Sequence, residues 1–315
     1  KSQPAGPAHL AMTLGEFMDT WLRDVQPTLA ASTYDTYVYL SQTVKPLIGE
    51  LHLWTLTAIE LSDALRGRFE HMSPRSRRNL YAFTKTVVRA AVDEKRAQQD
   101  ALIGFKIPKA PRVERETLNR EDLSRLVKAV ENYRYGLVIR LLALTGARAG
   151  EILGLTWSAV NFNHGSITIN KTTNARHTER NNDRPKTENS RRTIFLDAET
   201  MRQLRIQKEK QSMEMRCWKA QPIRQDDIRV FLTKNGKPPS YTGIRTIFAK
   251  ALEQCGLRHM RVHDLRHSVI TLLLTEGNSL VNVASLVGQD VNTTTGKYTH
   301  LLNKSTAISL QNEQK

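Results

Sequence analysis

Residues 106–112 read Lys-Ile-Pro-Lys-Ala-Pro-Arg, and no regular element is expected to run through them. The two prolines fix φ and remove backbone donors, and no apolar repeat is available to bury. Patterned sequence lies on both sides, so the chain must be organised as two parts joined by an extended basic linker. A length of 315 residues also exceeds what one hydrophobic core usually organises. The expected layout is a tail or linker remnant over 1–12, a helical domain over 13–105, a linker over 106–115 and a second domain over 116–315. The C-terminal tail of that second domain begins near residue 299.

In the first part, Leu14, Phe17, Met18, Trp21 and Leu22 recur at helical spacing. A second helix is predicted from Ser32, a good N-cap, through Tyr37 and Leu40 towards Val44, with Pro46 and Gly49 interrupting it. Further helical patterns occupy 57–69 and 75–98. In the second part, Asn119 followed by Glu121 and Asp122 reads as a cap and an acidic first turn. An apolar helix over 135–144 follows. Residues 166–169 and 192–196 read as strands flanking a polar, basic stretch, and helical patterns return over 241–254, 264–275 and 279–287. The fold class is therefore mainly α with a small antiparallel β-sheet.

Lys and Arg number 47 against 31 Asp and Glu, a net charge of +16, and the excess is heavier after residue 116. Such a surface concentrates polyanions, which makes nucleic acid the leading partner class, although a basic isoelectric point alone also suits a membrane-surface protein. Two cysteines, Cys217 and Cys255, exclude a disulfide framework and a thiolate-rich zinc site. The most hydrophobic helical stretch is short and carries Arg140, so no membrane span or secretory leader is expected. A cytoplasmic protein, in a bacterial cytoplasm or nucleoid, fits. The chain opens on Lys1 rather than Met, and a segment upstream of it is expected in the native protein.

Taken singly, the reactive residues have bland readings. Arg148 lies in the bend Thr145-Gly146-Ala147-Arg148-Ala149-Gly150-Glu151, where an arginine ordinarily closes a salt bridge. Lys186 occupies a polar hairpin, where a lysine is ordinarily solvated. His263 and Arg266, three apart, share one helix face while Leu265, Val269, Ile270 and Leu273 supply an apolar side. The spacing of His259, His263 and His267 also suggests a metal site, but no carboxylate or cysteine pattern completes it. Tyr298 alone reads as a half-buried aromatic.

In order, however, Arg148, Lys186, His263 with Arg266, Gln289 in Val287-Gly288-Gln289, and Tyr298 resemble the tyrosine recombinase family of phage and transposon integrases. The resemblance covers nearly the whole chain. It implies a two-domain DNA clamp, with a helical core-binding domain over 13–108 and a mixed α/β catalytic domain from 116. It further implies that Tyr298 attacks a phosphodiester to give a 3′-phosphotyrosine, with Arg148 and Arg266 as guanidinium forks on the phosphate oxygens. By the same resemblance His263 is the candidate base, and Lys186 is the general acid for the departing 5′ oxygen. Gln289 stands where the family usually has His or Trp; its amide can donate a hydrogen bond but cannot act as acid or base. Phe195 replaces a common proline, read here as a packing change. No cofactor or metal is implied. The implied partners are double-stranded recombination sites, a homotetramer on two of them and possible accessory DNA-bending factors. The tail with Leu301, Leu302, Ile308 and Leu310 suits docking on a neighbouring subunit or folding back on its own domain. The rivals are a type IB topoisomerase, disfavoured by the 288–298 segment, and a DNA-binding protein that has lost catalysis.

Overall fold

The computed structural model describes residues 12–109, 116–170, 191–216, 228–296 and 298. The chain divides into two compact units, 1–114 and 115–315, each with its own core.

Among its described residues the first unit has four α-helices: α1 (Leu14–Val25), α2 (Ala31–Ile48), α3 (Ala58–Leu65) and α4 (Pro74–Asp93). Capping boxes start α1 and α3. The Thr13 amide donates to Glu16 at 2.9 Å and the Thr57 amide to Glu60 at 2.9 Å, with the threonine hydroxyls accepting in return. Trp21, Tyr37 and Phe83, from α1, α2 and α4, join the helices through ring contacts of 5.4–6.2 Å. The second helix begins one residue before Ser32, after an N-cap at Ala30, and runs through Pro46 instead of stopping there. Pro46 falls in the last turn, where one lost backbone bond is a small cost against burying Val44 and Ile48 completely.

In the second unit α5 (Arg120–Ala129) starts as expected, with Asn119 Oδ1 accepting from the Asp122 amide at 2.8 Å. The apolar α6 (Gly136–Thr145) packs against α5 and against α7 (Ala149–Leu153), α8 (Ala198–Met215), α9 (Tyr241–Gln254) and α10 (Val262–Thr275). Its near-continuous apolar character follows from being covered on several sides. Strands β1 (Val160–Asn161), β2 (Ser166–Ile169) and β3 (Arg192–Phe195) form an antiparallel sheet in that order, with Ile167 opposite Val160 on one side and Ile194 on the other. Along β3, Arg192 and Ile194 are buried and Thr193 and Phe195 exposed. Phe195 is 75% exposed, so its replacement of proline is not a packing change. Helix α11 (Leu280–Val287) packs against α10. Among the described residues no helix is long and apolar enough to cross a membrane. Lys186, Cys217, residues 1–11 and 110–115, and the tail from 299 lie outside the described residues.

Candidate active site

Helix α6 ends at Gly146, whose φ of +61° closes the last turn by a bond from its amide to Leu142 O. A side chain is excluded there twice over: the backbone is left-handed, and a Cβ would lie 3.0 Å from Val287 and 3.2 Å from Val269. This close approach brings the end of α6 against α10 and α11. Arg148 follows in an extended conformation as the N-cap of α7, and its amide donates to Glu151 Oε2 at 2.8 Å.

Three arginines then converge on three successive carbonyls at the C-terminal end of α11. Arg192 Nε donates to Leu286 O at 2.7 Å, Arg266 Nη1 to Val287 O at 2.6 Å, and Arg148 Nη1 to Gly288 O at 3.0 Å. Cations are favoured there by the partial negative charge of the helix end. Gly288 also has positive φ, +63°, and a Cβ on it would stand 2.4 Å from Arg192 Nη1. Arg266 reaches back to Gly146 O at 2.9 Å and across to Gln289 Oε1 at 3.1 Å. Glu151, 2% exposed, is shared: Oε1 accepts from Arg148 at 2.9 Å and Oε2 from Arg192 at 2.8 Å.

One buried carboxylate thus faces three guanidinium groups. Burial alone would push the Glu151 carboxyl up, but the bonds and charges of Arg192 and Arg148 hold it below the usual carboxylate range. For Arg266, burial and then the positive charge of Arg148 and Arg192 push the guanidinium down to about 10, against the attraction of Glu151 and Tyr298. Among the described residues these three guanidinium groups outnumber the carboxylate bonded to two of them. Beside it, the Gln289 Nε2 is buried with no hydrogen-bond partner, a donor whose desolvation costs about 1–3 kcal/mol until an acceptor arrives.

Tyr298, 6% exposed, packs its ring among Ile270, Leu274, Val283 and Val287. Its hydroxyl is hydrogen-bonded to His267 Nδ1. His263, exposed one turn earlier on α10, meets the His267 ring edge-on at 5.3 Å. The geometry therefore gathers Arg148, Arg266 and Gln289 into one bonded cluster and carries His263 and Tyr298 on the elements beside it; Lys186 is the one predicted residue not described. Sequence reasoning missed three participants: Glu151, Arg192 and, as anything but a metal ligand, His267.

A model of the phage integrase family matches residues 116–305. The chain belongs to the phage integrase family. A second model, the phage integrase N-terminal SAM-like domain, matches residues 13–66. Family membership makes the chain a tyrosine recombinase, an enzyme of site-specific DNA recombination, and the phosphotyrosine mechanism is general to that family. The XerC-like tyrosine recombinase of Caldanaerobacter subterraneus subsp. tengcongensis is 25% identical, over 96% of this chain and 83% of the relative. An integrase of Streptomyces ambofaciens is 26% identical over 88% and 73%. The Tn1549 transposon integrase, solved with transposon right end DNA, aligns at a TM-score of 0.77 with 16% identity over 95% of this chain and 99% of that one. A lambda integrase tetramer bound to a Holliday junction aligns at 0.66, again at 16% identity, over 90% and 77%. At that identity the two structural likenesses speak to the recombinase fold alone.

Proposed function

We propose that in this recombinase Tyr298 is the nucleophile and that Arg148, Arg266, His263 and Gln289 hold the scissile phosphate. The observation that carries the reading is the convergence of three guanidinium groups on the end of α11, with Glu151 the carboxylate bonded to two of them among the described residues, and the unpartnered Gln289 Nε2 beside them. A phosphodiester supplies what that cluster lacks: negative charge and several acceptor oxygens. Because the arginines are already fixed by carbonyls and by Glu151, charge building on the non-bridging oxygens is met without reorganisation. Gln289 donates a hydrogen bond to the phosphate and Lys186 protonates the departing 5′ oxygen; His263, the candidate base by resemblance, is assigned to the phosphate instead, since His267 is the ring bonded to the Tyr298 hydroxyl. The bond energy is kept as a 3′-phosphotyrosine, so that a second DNA end can reverse the attack.

The partner in this reading is double-stranded DNA, contacted by the helical domain over 13–105 and by the catalytic domain over 116–315. Assembly is a homotetramer on two sites, as the lambda integrase neighbour suggests; an accessory bending factor and a cytoplasmic or nucleoid setting complete the proposal. The deciding experiment uses nicked suicide duplexes drawn from DNA flanking the chain's own coding sequence. The wild type should become covalently trapped, and Tyr298→Phe should bind equally well and trap nothing. Persistent trapping by Tyr298→Phe would move the nucleophile elsewhere, with Tyr241 the next residue to test.

A further inference from the structure

We propose that His267 takes the phenolic proton of Tyr298 as the tyrosine attacks, an inference that rests on the assignment of Tyr298 as nucleophile. His267, Ile270 and Leu274 step along α10 by three and four residues and so form one stripe. The Tyr298 ring packs on Ile270 and Leu274, which presents its hydroxyl end-on to His267 Nδ1. Hydrogen-bond reach to the proton concerned is the first requirement of a general base. A hydroxyl that donates to Nδ1 requires that nitrogen to be the acceptor, with the ring proton on Nε2, and this is the tautomer the proposal needs.

Among the described residues, charged and titratable groups stand close to this pair. His263 meets His267 edge-on, and Arg266 lies on the same turn, close enough that its charge and the Tyr298 oxygen influence one another. Arg148 and Arg192 stand beyond Arg266. These cations oppose an imidazolium and favour a phenolate. With a phosphate bound, the imidazolium is relieved of that repulsion and the charge on Oη passes to the phosphate oxygens as the Oη–P bond forms, so transfer is coupled to attack. In the step itself the Oη–H bond breaks and the proton passes to Nδ1 as the Oη–P bond forms. The P–O5′ bond breaks, and O5′ takes a proton from Lys186. Religation runs the same transfers backwards, with the imidazolium returning its proton to Oη.

A role limited to holding the ring is separable from proton transfer. His267→Asn places an amide near the Nδ1 position and keeps a hydrogen bond without titrating. Single-turnover formation of the covalent adduct on the nicked duplexes, followed over roughly pH 5.5–9, should show an acidic limb in the wild type that is lost in His267→Asn. That variant should cleave about 100-fold more slowly at neutral pH while its gel-shift affinity for the same duplex stays unchanged. A rate within about threefold of wild type, or an acidic limb that survives His267→Asn and disappears in His263→Asn, overturns the proposal. A wild type that forms no adduct overturns the nucleophile assignment and this inference with it; an adduct at Tyr298 that is indifferent to His267 overturns this inference alone. Nitrogen-15 spectra of the histidine rings give a check without DNA. Unprotonated Nδ1 on His267, shifted in Tyr298→Phe, supports the assignment, and a proton on Nδ1 refutes it.

Discussion

Replacing Arg192 by Leu should destabilise the chain far more than a surface charge deletion would. Arg192 and Glu151 have side chains only 7% and 2% exposed and are joined at 2.8 Å. With Arg192 gone, Glu151 keeps Arg148 but loses its fully buried partner, and Leu286 O loses the Arg192 Nε donor. Breaking one side of a buried ion pair costs about 3–5 kcal/mol. For a domain of this size that corresponds to a melting point lower by roughly 6–20 °C. Glu151→Gln added to Arg192→Leu removes the stranded charge, so the double variant should be more stable than the sum of the single losses predicts. Urea melts of the four proteins measure this coupling. The wild type should also lose the Glu151 contribution on acidification. Its folded pKa lies below the unfolded value of about 4.3, so the stabilisation is full above that value and disappears as pH falls through the folded one. Arg192→Leu costing under about 1 kcal/mol, or single losses that simply add, would refute the idea that this pair holds the site together.

Two further predictions concern the site itself. Gly146→Ala should cost about 1–3 kcal/mol from its left-handed backbone and, by moving the Gly146 carbonyl off Arg266, should slow adduct formation more than it weakens DNA binding; equal losses in both assays would contradict it. Lys186→Ala should be slow on ordinary DNA and recover when the 5′ bridging oxygen is replaced by sulfur, a leaving group that hardly needs a proton, whereas Arg148→Ala and Arg266→Ala should not recover. Equal impairment of Lys186→Ala on both substrates would leave the lysine a positioning or phosphate-binding role.

What the sequence made legible was whatever is written locally. The Asn119 cap, the strand over 166–169, the helix over 241–254 and the reactive turn of α10 all follow from neighbouring residues. Helix α8 does not announce itself because its buried face is partly polar: Gln211 is buried, accepting from Trp157 Nε1 and donating to Arg229 O at 2.9 Å. No apolar period can report a side chain satisfied by partners so far away in sequence. Glu151 and Arg192 escaped for a related reason, since a pair 41 residues apart exists only once the sheet and α7 are packed. A signal was available, however. Alternation along β3 sets Arg192 on the same face as Ile194, and a charge on the inward face of a strand calls for a partner. The four-residue spacing of His259, His263 and His267 points towards a metal site, whereas the stripe that His267 shares with Ile270 and Leu274 is the better guide to its partner.

The meeting of three arginines on α11 also offers a way to make the enzyme conditional. A cut between Arg216 and Ile228 would leave Arg148, Glu151 and Arg192 on one piece and Arg266, Gln289, Tyr298 and all three accepting carbonyls on the other. Neither piece could grip a phosphate alone, because the guanidinium groups of the first are oriented by the backbone of the second. Each half fused to one member of an inducible pairing module would therefore stay silent until the modules join, and recombination would report, permanently and in DNA, that the two had met.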